Sequence, residues 1–257
     1  MLVKSMSKLL LPNTRLENIK MVIFDKDGTL IDVHHYWCSM IEFRAKMLVE
    51  DLDIGKKKEL YEALVDAMGI DFLSKKMKAS GPVGIKPRGY IVDVALEVMQ
   101  KYYNAYTREQ VVEIFKKVDT YSKTQLKAIV KILPDVERLL KELKSAGVLM
   151  SIATTDLTER AILSMNALEI KEYFIDIVGA DLVKNAKPSA DLVQYILEKN
   201  ALVKEEVIVV GDSMADLGMA SNASCFFIGV ETGLYNDEFM QKSQYLLKTL
   251  KELRVEK

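Results

Sequence analysis

The chain has 257 residues, enough for one large domain or two smaller ones, with 49% apolar and 28% charged side chains. Its 36 basic and 37 acidic residues leave a net charge of -1, so no overall field argues for nucleic acid or a membrane surface as partner. The two cysteines, Cys38 and Cys225, form neither a disulfide framework nor a Cys/His metal pattern, which suits a reduced, cytoplasmic setting.

Met1 to Leu11 carries a Leu9-Leu10-Leu11 run too short for a secretory signal or a membrane span, and reads as an arm or short leading element. Met21 to Phe24 are all apolar and predict a buried strand, which runs directly into Asp25-Lys26-Asp27-Gly28-Thr29. Alternate residues of an extended segment point the same way, so Asp25 and Asp27 share a side while Lys26 stays extended. Gly28 lets the chain turn away and leave amide groups facing the same space. Two acids, N–H donors and a hydroxyl at the end of a buried strand suit a divalent cation and a phosphate.

A polar, aromatic turn, Asp32 to Trp37, follows. Trp37, Met40, Ile41, Met47 and Leu48 then fall at helical spacing. Further helical patterns cover Lys58–Met68, Tyr90–Tyr103 and Arg108–Leu133, the last opened by a Thr107/Gln110 capping box. Ser80 to Gly89, with three glycines and two prolines, is a loop. No strand signal appears between Val33 and Leu133, so residues 33–133 read as an all-helical insertion.

From Pro134 the pattern alternates. Helices are predicted over Val136–Ala146, Leu157–Ala167, Ser189–Asn200 and Met214–Ser221. Strands are predicted over Val148–Ala153, Ile175–Val178, Val207–Val210 and Cys225–Ile228. The tail adds a short strand at Tyr245–Leu247 and a helix. Such alternation means βαβ units: an α/β, Rossmann-like parallel sheet with helices on both faces, built from residues 1–32 and 134–257.

The site of such a sheet lies outside the carboxyl ends of its strands. Those ends carry Asp25 and Asp27; Thr154, Thr155 and Asp156; Asp181 to Lys187; and Gly211, Asp212, Ser213 and Asp216. Carboxylates are hard ligands for Mg²⁺, and a hydroxyl with a lysine can hold phosphate oxygens. Asp156 serves equally as a helix N-cap. His34, His35, Trp37 and the methionines read as structural, and Lys56-Lys57-Lys58 as a solvated helix start.

These motifs resemble the haloacid dehalogenase superfamily, which shows Asp-x-Asp-Gly-Thr at the first strand, as at Asp25 to Thr29. It shows a Ser or Thr ending the second strand, as at Thr154, where Thr155 stands for the usual Asn. It shows Lys-Pro opening a helix, as at Lys187-Pro188, and Gly-Asp-Ser-x-x-Asp, as at Gly211 to Asp216. The resemblance spans Lys20–Leu30 and Leu133–Gly233 and is greatest to phosphoglycolate phosphatase-like members, whose helical cap follows the first motif. Asp135, Ala190 and Ser224 depart from its usual Gly, Pro and Gly.

The resemblance implies a Mg²⁺-dependent phosphatase of small phosphorylated metabolites, a monomer or homodimer. Asp25 would be the nucleophile and Asp27 the acid and base. The metal would sit on Asp25, Asp212 and the main-chain carbonyl of Asp27, with Asp216 supporting the metal or Lys187. Thr154 and Lys187 would bind the transferring oxygens, and Thr155 the substrate. Lys187 is preferred to Lys184 because Pro188 at a helix start fixes it. Lys86 and Arg88 in the insertion loop are candidates for gripping a second anionic group. The alternatives are a phosphomutase of the beta-phosphoglucomutase type and a non-catalytic phospho-acceptor of the receiver type; a dehalogenase is disfavoured by the acid at Asp27.

Overall fold

Leu9 and Leu11 are buried and alternate with half-buried neighbours in β1 (Lys8–Leu11), which pairs antiparallel with β2 (Thr14–Leu16) in the register Leu9↔Leu16. The next strand, β3 (Met21–Phe24), has every residue buried, as expected of a strand covered on both faces. The computed structural model of the protein describes residues 8–50, 52, 55–71, 74–78, 81–83, 86–233 and 236–256. The chain divides into two compact units, one of Val33–Ile129 and the other of the residues before and after it.

The inserted unit holds α1 (Val33–Val49), α2 (Lys57–Met68), β4 (Ile70–Asp71), β5 (Lys76–Met77), α3 (Arg88–Tyr102), α4 (Arg108–Thr124) and α5 (Leu126–Ile129). Its interior is the apolar stripe of each helix: Met40 and Ile41, Leu60 and Leu64, Ala95 and Met99, Val111 and Phe115 are all fully buried. Thr107 and Gln110 form the expected capping box, with Gln110 Oε1 accepting the Thr107 N–H at 2.8 Å.

Four expectations for this unit are corrected. Residues 33–37 are helical rather than a turn, because Val33 and Tyr36 extend the buried stripe one turn back from Met40. The unit is not all helix: β4 and β5 form a hairpin with Ile70 opposite Met77, too short for a period-2 signal. The run Arg108–Leu133 is two helices that stop at Ile129. Lys131 C=O then accepts the Asp32 N–H and Leu30 C=O the Leu133 N–H, which ties residues 130–133 to the α/β unit. Of the loop Ser80–Gly89, residues 80, 84 and 85 lie outside the described residues, and Arg88 and Gly89 belong to α3.

The second unit continues with α6 (Val136–Ser145), β6 (Leu149–Ala153), α7 (Thr158–Ala167), β7 (Asp176–Val178), α8 (Asp191–Asn200), β8 (Val207–Gly211), α9 (Met214–Asn222), β9 (Phe226–Val230), α10 (Asp237–Lys242), β10 (Leu246–Leu247) and β11 (Arg254–Glu256). Six strands form a parallel sheet in the order β10-β9-β8-β3-β6-β7. Helices pack its apolar faces; Leu192, Val193 and Ile196 of α8 and Met219 of α9 join Met21, Ile23, Val207 and Val209 in one core cluster. The fold is α/β, as the alternation predicts.

The tail holds the expected short strand, β10, and a helix, α10, and adds a further strand, β11; Leu9 to Leu11 lie in a short leading strand. β1 pairs with β11 as well as β2, with Leu9 opposite Val255, in a separate three-stranded antiparallel sheet. Residues 1–7 and 257 lie outside the described residues. Among those described, no helix is long and apolar enough to cross a membrane.

Candidate functional site

β3 lies in the middle of the parallel sheet, between β8 and β6, with Phe24 in register with Val210 and Ile152. The residues that follow the three strands therefore emerge side by side: Asp25 from β3, Asp212 from β8 and Thr154 from β6. All three are buried, and the Asp25 N–H still donates to Val210 C=O at 2.8 Å. Asp216 enters from the first turn of α9, where Ser213 caps the helix and donates its hydroxyl to Asp216 Oδ2 at 2.6 Å.

Lys187 joins these carboxylates. Its Nζ is 2.5 Å from Asp25 Oδ1 and 2.6 Å from Asp216 Oδ1, with only 2% of the lysine side chain exposed. Burial pulls the ammonium down, but Asp216 and Asp25 more than offset it and hold Lys187 above its ordinary value. Burial pushes the Asp25 carboxyl up, to about 7; Lys187 opposes this, and Asp216 and Asp27 add to it.

Carboxylate oxygens of Asp25, Asp212 and Asp216 lie within 4.8 Å of one another. Three buried acids against one ammonium leave excess negative charge, and an all-oxygen set is the donor chemistry that a small hard cation takes. The backbone packs closely on the Asp212 carboxylate. A Cβ on Gly28, whose φ is +95°, would stand 2.4 Å from Asp212 Oδ2, and one on Gly233 would stand 1.7 Å away. The residues present fit a divalent cation.

Other predicted residues are placed differently. The Asp27 carboxylate is not in the acidic cluster; its Oδ1 is 2.7 Å from Nζ of Lys26. The N–H of Gly28 itself is not one of the expected free donors, since it donates to Ile31 C=O at 2.8 Å. Pro188 does not open a helix: the Lys187-Pro188 peptide is cis and α8 begins at Asp191. Asp156 is no N-cap either. Leu157 holds that position, and Asp156 Oδ2 instead lies 3.3 Å from Lys26 Nζ. Thr155 and Lys184 are exposed. In the helical unit, Arg88 is ion-paired with Asp119 at 2.6 Å, and Lys86 Nζ lies 5.9 Å from the centre of the Tyr90 ring.

The expected Thr29 hydroxyl is at the site, whereas the buried Lys26 is a residue that the sequence reading passed over. Thr29 donates its hydroxyl to Asp212 Oδ1 at 3.4 Å, and Lys26 is wholly buried. The signal for Lys26 was present: on a strand buried on both faces, the residue opposite Asp25 is also inside.

The arrangement is that of a parallel-sheet protein with an acidic, lysine-braced centre at its strand ends. A family model described as haloacid dehalogenase-like hydrolase matches residues 22–230, and the chain belongs to that family. It is an enzyme of that hydrolase family. A phosphoglycolate phosphatase of Vibrio cholerae is 25% identical over 228 residues, covering 87% of this chain and 89% of that protein. The crystal structure of a predicted phosphoglycolate phosphatase from Haemophilus somnus superposes with a TM-score of 0.67 at 20% identity, over 90% of this chain and 95% of that one. A beta-phosphoglucomutase from Clostridium difficile shares the fold at a TM-score of 0.57 and 22% identity, over 90% and 91% of the two chains.

Proposed function

We propose that the protein hydrolyses a small phosphorylated metabolite, of the 2-phosphoglycolate kind, through a covalent phosphate on Asp25. The observation that carries this reading is the Asp25 carboxylate, buried at the end of the central strand and held by Lys187 at 2.5 Å. The names of the curated relatives supply the substrate class.

Asp25 uses one carboxylate oxygen to attack phosphorus, and the bond to the leaving oxygen breaks. Asp27 gives that oxygen its proton and later takes one from the water that attacks the aspartyl-phosphate, which returns Asp25 and frees phosphate. Lys187 and Thr154 bind the transferring oxygens. The Thr154 Oγ accepts the Asp156 N–H at 3.1 Å, which leaves its own proton for a ligand. Asp25, Asp212 and Asp216 would hold Mg²⁺, together with the main-chain carbonyl of Asp27. When bound, the cation supplies charge that offsets repulsion between the carboxylate and the phosphate dianion.

The low cysteine count, two in 257 residues, supports a reducing compartment, and we place the reaction in the cytoplasm. Phosphate release from a panel of metabolites, 2-phosphoglycolate included, tests the reading. Asp25→Asn should abolish it with the fold intact; release by that variant at the wild-type rate overturns the covalent route. Conversion of a sugar phosphate to its isomer without free phosphate would make the enzyme a mutase.

A further inference from the structure

Lys26 is a fully buried lysine directly after the nucleophile, and no step above uses it. An ammonium removed from water costs several kcal/mol unless charged partners surround it. Two do. Lys26 Nζ is 2.7 Å from Asp27 Oδ1 and 3.3 Å from Asp156 Oδ2. Asp156 is itself fixed: its Oδ1 accepts the Leu157 N–H at 2.8 Å, and Arg160 Nε stands 3.6 Å from the same oxygen. The N–H of Asp156 in turn donates to Thr154 Oγ. A charged chain thus runs Arg160, Asp156, Lys26, Asp27, from the first turn of α7 to the carboxylate beside the nucleophile.

The chain ends on one oxygen of Asp27. Among the described residues, Oδ1 takes the lysine and no hydrogen bond is made to Oδ2. Asp27 lies outside β3, in an isolated bridge with Ile31. A carboxylate that must meet a leaving oxygen loses rate steeply when misplaced by an ångström.

We infer that Lys26, anchored by Asp156, is the positioning residue of Asp27: it grips Oδ1 and so presents Oδ2 to the leaving group. The inference rests on the reading of Asp27 as proton donor. Lys26 touches neither substrate nor transferring phosphate; it acts through Asp27.

The leaving group reports on this directly. An alkoxide must be protonated as it departs, whereas p-nitrophenolate departs with little help. The test is the rate of phosphoenzyme formation in the first turnover, by rapid quench, with glycerol 2-phosphate and with p-nitrophenyl phosphate. Water attack comes later and does not enter this rate. Lys26→Met keeps the length of the side chain and removes its charge. It should slow the alkyl ester about ten- to hundred-fold more than the aryl ester. Asp156→Asn should shift the ratio the same way, by less, because Lys26 keeps Asp27. If Lys26→Met does not fold, Asp156→Asn carries the test.

Asp27→Asn separates the two ideas. If it discriminates against the alkyl ester while the Lys26 and Asp156 variants slow both esters alike or neither, the positioning role is wrong and the donor stands. If Asp27→Asn itself slows both esters alike, Asp27 is not the donor and the inference falls with it.

Discussion

Lys187 Nζ lies 2.5 Å from Asp25 Oδ1, a contact between residues 162 positions apart that closes the centre of the site. The same ammonium holds Asp216 at 2.6 Å, so one lysine compensates two buried carboxylates. Removing it leaves both uncompensated, which costs far more than the loss of an exposed pair.

Lys187→Ala should therefore fail twice. Turnover should fall by about two to three orders of magnitude, because the mechanism proposed above loses a donor to the transferring oxygens. Stability should drop by about 3–5 kcal/mol as buried acids lose their partner. Urea titration and phosphate release measure the two effects separately. A variant of wild-type stability would contradict the buried pairing.

Divalent cation should stabilise the protein in a pH-dependent way. Asp25 titrates near 7 in the folded chain and near 3.8 when unfolded. Between those values the folded state binds the extra proton, so stability from this carboxyl is present at low pH and declines as pH rises toward 7. Mg²⁺ relieves the charged form. The rise in melting temperature on adding Mg²⁺ to chelated protein should be larger at pH 8 than at pH 5. EDTA should abolish turnover, and Ca²⁺ should not restore it, since Ca²⁺ prefers more ligands at longer distances. An equal rise at both pH values would count against the acidic cluster as the metal site.

Two turns run against residue preference. Asp135 has φ +65° and Ser224 has φ +55°, both in the left-handed region that favours glycine. These are positions where the family resemblance expects glycine. Ser224→Gly should stabilise the protein by about 0.5–1 kcal/mol, after the greater freedom of glycine in the unfolded chain is subtracted. Asp135→Gly should gain less, because the Asp135 carboxylate accepts from Arg138 Nε at 3.3 Å. Thermal melts of both variants against wild type decide it. A lower melting temperature for Ser224→Gly would mean the serine side chain contributes more than its backbone strain costs.

Cys225 should be sluggish toward alkylating reagents. Burial, with Glu205 nearby, pushes its thiol up to about 11, so little thiolate exists at pH 8. Modification by iodoacetamide at pH 8 should be much slower for Cys225 in native protein than in urea, as followed by peptide mass. Equal rates in both states would refute this.

Much of the α/β unit was legible in the residues because its signals are local. Met21 to Phe24 could only be a strand covered on both faces, and the βαβ alternation after Pro134 admits few arrangements other than a parallel sheet. The acids Asp25, Asp212 and Asp216 were legible for the same reason, since each follows directly on a recognisable buried strand or lies in the first turn of the helix after it.

Pairing across distance was not legible. Nothing local tells Leu9 that its neighbour is Val255, since strand pairing is a hydrogen-bond relationship between backbones that any apolar edge could satisfy. The hairpin of Ile70 and Met77 contributes two residues per strand, below the length at which alternation becomes a pattern. Charge pairing was decided the same way. Asp27 and Lys26 are neighbours in the chain, yet whether the acid faces the acidic cluster or the lysine depends on Asp156 arriving from β6. Only the assembled sheet brings that carboxylate within 3.3 Å of a lysine that water cannot reach.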